Sequence, residues 1–256
     1  MSILFAARDE SITAEVKSPL SLELVYRIKA IGCHSVQFTP RGTLITNGKL
    51  LNEVYRYIYS HCRRVSWSFS IPEVNIVSMC MDSSDTNVIL ITLNADVIVW
   101  NTRTKKPQHR WKCPGLAGWC KAQVAFISTR IFVTHPQKES VIVYTMTGSE
   151  SLTISLQTFS SPSYLANYDD DSLIISGVGK VGRFPVCAVS KPQWVRNIWD
   201  TTGVCVDKTG LIYVGTWSEK TIFILSGSGR ILITTALVVY SSYIAGDGPL
   251  HYNKPN

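Results

Sequence analysis

The chain has 256 residues, of which 45% are apolar and 17% charged, and its formal net charge is +7 with a pI near 9.0. This composition is that of a folded protein with a sizeable core and argues against an intrinsically disordered chain. The basic balance permits an acidic partner, such as a nucleic acid, an anionic membrane surface or an acidic peptide, but moderately basic folded domains are common.

The N-terminal segment predicts three short strands that have no strand before them. They cover residues 3–5, 10–16 and 22–28, and they resemble the last three strands of a repeat that occurs later, at residues 131–133, 139–143 and 152–156. β-Branched and aromatic residues fill these segments, as is usual for half-buried strands. We expect them to complete a sheet whose first strand lies elsewhere in the chain.

Five longer repeats follow, and each predicts four short strands separated by turn residues. The clearest has strands at residues 203–207, 211–214, 221–225 and 230–234, with turns rich in Gly, Ser and Lys. In the fourth repeat we place the third strand at residues 183–189, where Pro185 removes a ladder hydrogen bond and predicts a bulge. The apolar centre of a first strand recurs six times, 39 to 45 residues apart, at Val36, Met79, Val124, Leu165, Val204 and Ile244.

A period of this length filled with short strands is typical of a β-propeller. The sixth recurrence copies a first strand alone, so it pairs naturally with the three N-terminal strands and closes the ring without an exposed edge. We therefore predict an all-β, six-bladed β-propeller in a single domain covering residues 1–256. The predicted blades span about residues 34–71, 72–115, 116–160, 161–198 and 199–238, with 239–246 joined to 1–33 as the sixth.

The fifth repeat resembles the NHL repeat. Residues 203–214 read Gly-Val-Cys-Val-Asp-Lys-Thr-Gly-Leu-Ile-Tyr-Val, and residues 220–225 read Lys-Thr-Ile-Phe-Ile-Leu. NHL repeats form six-bladed propellers, including those at the C-termini of tripartite-motif (TRIM) ubiquitin ligases. The resemblance implies a substrate-recruiting or RNA-binding module. The sequence has no RING, B-box or coiled-coil segment, so we expect no ligase chemistry in this chain.

Seven cysteines include no Cys-x-x-Cys pair, and the N-terminus lacks the basic and apolar regions of a signal peptide. No apolar run reaches transmembrane length. We therefore expect a cytoplasmic protein that does not insert into membranes.

We find no catalytic constellation in the sequence and predict neither a metal nor another cofactor. Asp82 and Asp207 occupy the same turn position in two repeats, so we interpret them as turn-capping residues. The run 169–171 of three aspartates is expected to be a solvated turn, and the glycine-rich run 177–182 a flexible loop. The five histidines share no metal-ligand spacing.

Binding surfaces are better supported. In a propeller, the loops joining second to third strands and the connections between blades lie on one face, which we call the top face. The residues that the predicted strands place there form a basic set with two tryptophans, suited to an acidic peptide or to single-stranded RNA. The predicted partner-binding residues are Lys49, Trp119, Lys121, His135, Lys138, Lys180, Arg183, Trp217 and Lys220.

We therefore predict a non-enzymatic protein-interaction module that recruits a substrate or partner, as TRIM-NHL propellers do. Two alternatives remain open at this point: a propeller that binds single-stranded RNA, and a metal-dependent hydrolase of the gluconolactonase-like propeller group. The opposite face also carries cations, among them Arg103, Lys105 and Lys106, so charge alone does not select one face.

Overall fold

The computed structural model describes residues 36–38, 44–47, 53–57, 65–72, 74–116, 122–156, 159–187, 191–207, 209–216 and 218–236. These residues form five four-stranded antiparallel sheets, each built from four consecutive strands in simple meander order. Each sheet lies within one of the predicted blade ranges. The predicted sixth blade and the closure of the ring lie outside the described residues.

The first two sheets contain β1 to β8. Their strands are β1 (Val36–Phe38), β2 (Leu44–Asn47), β3 (Glu53–Tyr57), β4 (Val65–Ser70), β5 (Ile76–Met81), β6 (Asn87–Thr92), β7 (Asp96–Asn101) and β8 (Lys106–Lys112). The next two sheets contain β9 to β16. Their strands are β9 (Val124–Ile127), β10 (Arg130–His135), β11 (Ser140–Thr145), β12 (Glu150–Ser155), β13 (Tyr164–Asp169), β14 (Ser172–Gly177), β15 (Lys180–Pro185) and β16 (Trp194–Asn197). The fifth sheet contains β17 (Thr201–Val206), β18 (Ile212–Thr216), β19 (Thr221–Leu225) and β20 (Ile231–Ala236).

First strands of successive sheets lie beside one another, as β5 does with β9 and β13 with β17. The middle strands are apolar on both faces where a sheet packs between two described neighbours, as the second sheet does between the first and the third. All six residues of β7 are buried, whereas the outermost strand β8 is mostly exposed. Burial of these apolar strand residues between sheets is the main favourable contribution to the stability of the fold.

A residue with a buried hydroxyl lies at the end of the second strand, or one position before it, in four sheets. The residues are Thr92, Thr134, Ser176 and Thr216, and each is almost fully buried. The Thr92 hydroxyl accepts from the backbone N–H of Asp96 at 3.1 Å, and the Thr134 hydroxyl accepts from that of Gln123 at 2.7 Å. The first bond fixes the loop from β6 to β7, and the second fixes the residue that precedes β9. Both satisfy backbone donors in the interior.

Two predictions for the fourth sheet are wrong. Strand β15 begins at Lys180 and ends at Pro185, and its pairing with β14 is regular up to Ser172 opposite Pro185. No bulge forms at the proline, because the next residue still bonds β14: the Val186 N–H donates to the carbonyl of Asp171 at 2.7 Å. Antiparallel pairing alternates, so the nitrogen of Pro185 points away from β14 and no bond to that strand is lost. The glycine-rich run is not a flexible loop: Val178 and Gly179 form a tight turn, with Gly179 at φ +76°, and Gly182 lies within β15.

Tryptophans on outermost strands pack against glycine turns of the following sheet. Trp111 lies against Gly148, where an added Cβ would come within 2.6 Å of the indole ring. Trp194 lies against Gly229 in the same way, with a hypothetical contact of 2.5 Å, and its indole N–H donates to the carbonyl of Gly227 at 2.8 Å. Glycine is required in both turns, since φ is +90° at Gly148 and +78° at Gly229. These contacts join the second sheet to the third, and the fourth sheet to the fifth, at their outer strands.

Candidate functional site

The structure describes five of the nine predicted partner-binding residues. Lys49, Trp119, Lys121 and Trp217 lie outside the described residues, and their role stays a prediction. Lys138 and Lys220 are exposed in loops that join a second to a third strand, and Lys180 is half-buried at the start of β15. The remaining two, His135 and Arg183, occupy positions that differ from the prediction.

His135 is fully buried and therefore presents no surface to a partner. Its Nδ1 accepts from the backbone N–H of Lys138 at 3.2 Å, and its Nε2 lies 3.1 Å from the carbonyl oxygen of Pro114. This pair of contacts requires a neutral ring with the proton on Nε2. Burial, together with the nearby charge of Lys138, lowers the pKa of His135 below its ordinary value despite the bond to Pro114. The side chain holds two loops together.

Arg183 lies within β15 and points away from the top face. Its guanidinium pairs with the carboxylate of Asp169 at 2.6 Å and lies 3.7 Å from the ring centroid of Tyr168. A third contact, 3.4 Å to the carbonyl of Gly227, reaches the turn between β19 and β20. Since the strand begins three residues earlier than predicted, Arg183 falls near the opposite end of the sheet. Its side chain, 18% exposed, joins the fourth and fifth sheets.

The top face carries an apolar surface at the junction of the fourth and fifth sheets. Trp199, in the connection from β16 to β17, is 73% exposed, and Val178, in the turn from β14 to β15, is 58% exposed. The two segments touch, because the six-membered ring of Trp199 covers Gly179, where a Cβ would come within 3.1 Å of ring atoms. One face of the indole thus rests on the turn while much of the side chain stays open to solvent.

Backbone hydrogen bonds hold this surface in place. The Val178 N–H donates to the carbonyl of Ser160 at 3.0 Å, and the Ile198 N–H donates to that of Gly179 at 3.0 Å. Asp200, at φ +54°, accepts from the backbone N–H of Ser218 at 2.8 Å and so ties in the next loop. We define the Trp199 surface as Val178, Gly179, Trp199, Asp200 and residues 218–220.

Trp199 is not among the predicted partner-binding residues, although the rule that selects Trp119 selects it as well. Both residues lie in a connection between predicted blades, and this rule places such connections on the top face. The available signal was an indole followed by Asp200, outside any apolar strand. What the sequence could not reveal is that Gly179 supports the ring from a different loop.

The aspartates that follow first strands are used by their own turns. Asp82 Oδ1 accepts from the backbone N–H groups of Thr86 and Asn87 at 2.8 and 3.0 Å, which confirms its turn-capping interpretation. Asp207 Oδ1 accepts from those of Thr209 and Leu211 at 2.8 and 2.9 Å. Burial opposes ionisation of Asp207, but a hydrogen bond from the Thr209 hydroxyl at 2.7 Å and these backbone bonds outweigh it and hold the pKa of the carboxyl below its ordinary value.

Asp169 plays a comparable part in the fourth sheet, because its carboxylate accepts from the Ser172 hydroxyl at 2.6 Å and pairs with Arg183. Within the ranges that the structure describes, no group of three or more His, Cys, Asp and Glu side chains is arranged to hold a metal ion. None of the helices in that part of the chain has the length and apolar character needed to cross a membrane.

No family model matches the sequence, and no curated protein matches it. Solved structures do. The chain is similar to virginiamycin B lyase from Staphylococcus aureus, with a TM-score of 0.61 and 10% identity over 81% of this chain and 71% of that one. It is also similar to U3-55K, with a TM-score of 0.57 and 10% identity over 82% of this chain and 83% of that one.

Hsv2 from Kluyveromyces lactis gives a TM-score of 0.58 and 11% identity over 79% of this chain, which spans 62% of the Hsv2 chain. These proteins are β-propellers, and at such low identity the likeness shows the fold alone. The chain therefore has a β-propeller fold. One of the similar structures is a lyase, but a shared fold does not decide the function. The NHL resemblance stays a prediction.

Proposed function

We propose that this chain is a non-enzymatic protein-interaction module that binds a peptide segment of a partner at the Trp199 surface. The observation that carries the proposal is an indole 73% exposed on a fixed turn beside an exposed valine. A large, well-positioned aromatic side chain that is open to solvent is the usual anchor of a protein interface. Recruitment of a substrate, as the TRIM-NHL resemblance implies, is one use of such a module.

Gly179 supports the ring of Trp199 from beneath and so positions it before any partner docks. A side chain that is positioned before binding loses little conformational freedom when the partner docks, so more of the contact energy remains as affinity. Tryptophan also exposes a large apolar area that water solvates poorly. These properties favour an apolar or aromatic side chain of a peptide as the group that covers the indole.

The charges around Trp199 are mixed, which favours a peptide over a polyanion. The segments around the indole contribute two carboxylates, Asp200 and Glu219, and two cations, Lys180 and Lys220. Asp200 also holds the neighbouring loop through its bond to Ser218. A nucleic acid would bring phosphates close to both carboxylates, whereas a peptide that has both polar and apolar side chains fits this rim.

Peptide selection with a counter-selection step tests the proposal. Phage-displayed peptides are selected on the full chain and depleted on the Trp199→Ala variant, and the survivors are measured by fluorescence anisotropy. We expect peptides whose affinity falls by about tenfold or more in Trp199→Ala, as for an interface hot spot. The control is Leu232→Ala, which removes another exposed apolar side chain and should leave affinity unchanged. Failure to recover any peptide that depends on Trp199 would refute the proposal.

Single-stranded RNA is the second candidate, favoured by the combination of an open indole and an exposed lysine, Lys220, in loops joined through Asp200. Stacking on an aromatic ring together with cations is the usual mode for unpaired bases. A fluorescent oligouridylate probe tests it directly. Binding that weakens with salt and is lost in the Lys138→Glu/Lys180→Glu/Lys220→Glu variant would support RNA, and absence of binding at low salt would exclude it.

A further inference from the structure

The outermost strand of the second sheet, β8, has an open edge whose backbone groups can be assigned from the register. The Cys113 N–H donates to the carbonyl of Ala95 at 2.9 Å, directly after the paired residues Asp96 and Lys112. Antiparallel pairing alternates, so Trp111 and His109 use their backbone groups to bond β7. The N–H and C=O groups of Arg110 and Lys112 therefore point away from β7. Among the described strands, β7 alone pairs with β8.

The same two residues carry exposed cationic side chains on one face of the sheet. The side chains of Arg110 and Lys112 are 55% and 64% exposed. They flank the buried carboxylate of Asp96, at 2.9 Å from Arg110 and 3.3 Å from Lys112. Because alternate strand residues lie about 6.8 Å apart, the two cations match acidic residues at alternate positions of an extended peptide.

This edge is also the centre of a strong local concentration of charge. Residues 102–112 contain five of the 25 lysines and arginines of the chain and no acidic residue. Arg103, Lys105 and Lys106 are exposed, and none of them forms an ion pair with a described residue. Asp96 is shared by Arg110 and Lys112 and so neutralises one of the five positive charges of residues 102–112.

The turn that precedes β8 is held rigidly by Asn101. Its Oδ1 accepts from the backbone N–H groups of Arg103 and Thr104 at 2.9 and 2.8 Å. The Thr102 hydroxyl donates to the carbonyl of Thr86 at 2.9 Å, which ties this turn to the turn before β6. The cations of the turn are therefore displayed from a fixed backbone next to the open edge.

We propose that β8 is a docking edge for an acidic, extended segment of a partner protein, which adds to the second sheet as a further strand. The backbone of the segment pairs with the outward N–H and C=O groups of Arg110 and Lys112, and its alternate acidic side chains bind the two cations. Strand addition of this kind takes affinity from the backbone and specificity from alternate side chains. The edge is separate from the Trp199 surface, so the inference holds whether or not that surface binds a peptide.

The observations favour an acidic peptide over single-stranded RNA and over a second copy of this chain. The aromatic residue of the strand, Trp111, is covered by Gly148 and Tyr144 and offers no open ring for a base. A second copy would bring one basic edge against another, and like charges repel across paired strands. Cations on edge strands also protect sheets from aggregation, but that role needs no bound partner.

The experiment measures binding of fluorescein-labelled peptides of about twelve residues to the full chain by anisotropy. The test peptide alternates Glu with Thr and Val. A second peptide has Gln for Glu, and a third keeps Glu but carries N-methyl groups on alternate backbone amides. We expect the second and third peptides to bind at least about tenfold more weakly than the first, because one lacks the charges and the other cannot pair as a strand.

Protein variants locate the binding to β8. Asp96→Asn removes the carboxylate that competes for Arg110 and Lys112, so we expect it to tighten binding. Asp96→Asn/Arg110→Thr/Lys112→Ser leaves no buried carboxylate unpaired and should weaken binding by about tenfold relative to Asp96→Asn. The matched control is Thr153→Glu/Ser155→Glu on β12. On β12 the Leu156 N–H donates to the carbonyl of Glu139, so the backbone groups of Thr153 and Ser155 point away from β11, as those of Arg110 and Lys112 point away from β7. The β12 edge has no cations.

Equal affinity for the N-methylated peptide would overturn the inference, since contact would then be by charge alone. Tighter binding of a twelve-nucleotide oligouridylate than of the test peptide would overturn it in favour of RNA, and dimerisation through β8 in sedimentation would overturn it in favour of a second copy. If the triple variant fails to fold, the three peptides and the Asp96→Asn variant still decide the question.

Discussion

Two loops in neighbouring sheets occupy the same topological position and serve opposite purposes. A polar side chain turns inward at the loop from β10 to β11: His135, the last residue of β10, is buried and bonds both this loop and the connection at Pro114. The loop from β14 to β15 turns apolar groups outward, with Val178 exposed and Trp199 resting on Gly179. Residue type alone is therefore a poor guide to function at this position, because the histidine is structural and the tryptophan is exposed.

The largest expected effect is loss of the His135 ring. His135→Ala leaves the backbone N–H of Lys138 without its acceptor, removes the shorter of the two contacts to the carbonyl of Pro114 and opens a cavity. We therefore expect a loss of about 2–4 kcal/mol in the free energy of unfolding. Urea denaturation followed by circular dichroism measures it. His135→Asn, whose Oδ1 replaces the Nδ1 acceptor, should recover part of the loss. An alanine variant as stable as the parent would show that the ring is not a structural contact.

A methyl group at Gly179 should give the next largest effect. Its φ of +76° is strained for any residue with a Cβ, and that atom would meet the ring of Trp199 at 3.1 Å. We expect Gly179→Ala to cost about 1–2 kcal/mol and to displace the indole. Thermal unfolding checks the cost, and tryptophan fluorescence checks the displacement. Gly203→Ala is the control, because no atom lies within 4 Å of the added Cβ; equal losses for both variants would contradict the explanation.

The pH dependence of stability should show a smaller contribution from His135. Burial lowers its pKa in the folded protein below the unfolded value of 6.5. As the pH falls below 6.5 the unfolded chain takes up the proton first, so stability decreases until the folded-state pKa is also passed. The free energy of unfolding of the parent should therefore fall over this window more than that of His135→Asn. Parallel curves for the two proteins would mean that His135 does not contribute to the slope.

Trp199→Ala should have the smallest effect on stability. The side chain is 73% exposed, and we expect its removal to change the free energy of unfolding by less than about 0.5 kcal/mol. The measurement is the same urea denaturation as for His135. A loss above about 2 kcal/mol would show that the indole is part of the packing between sheets, and would weaken its assignment as a binding anchor. A large loss of stability in His135→Ala beside a small one in Trp199→Ala would show most clearly that the two loops differ.

Repetition of pattern explains why much of the fold could be predicted. The five described sheets fall in the predicted blade ranges because alternating runs of apolar residues and turn residues act locally, and each repeat has the same pattern. The prediction was less accurate for the third strand of the fourth sheet. There the run 183–189 contains apolar residues after Pro185, and it outweighed the tight turn that Gly179 allows.

The candidate site was less predictable than the fold. Strand β15 begins three residues earlier than predicted. This shift moves Arg183 from the predicted top face into contact with Asp169 and Gly227. His135 looked like a surface residue because no local pattern shows that Pro114, twenty-one residues away, supplies its second bond. The functional interpretation of each polar side chain depends on such distant partners.

The repeat, the meander of short strands and the β-propeller architecture follow from local patterns in the sequence, because turn chemistry and apolar runs are properties of neighbouring residues. The concentration of cations in residues 102–112 is likewise visible in the sequence. The tertiary structure alone decided which polar groups are consumed by internal bonds and which remain available. Folding gives His135 and Arg183 their internal hydrogen-bond partners and places Gly179 under Trp199. It also leaves the backbone groups of Arg110 and Lys112 at an open edge. Each of these arrangements depends on groups that are distant in the sequence and that only folding brings together.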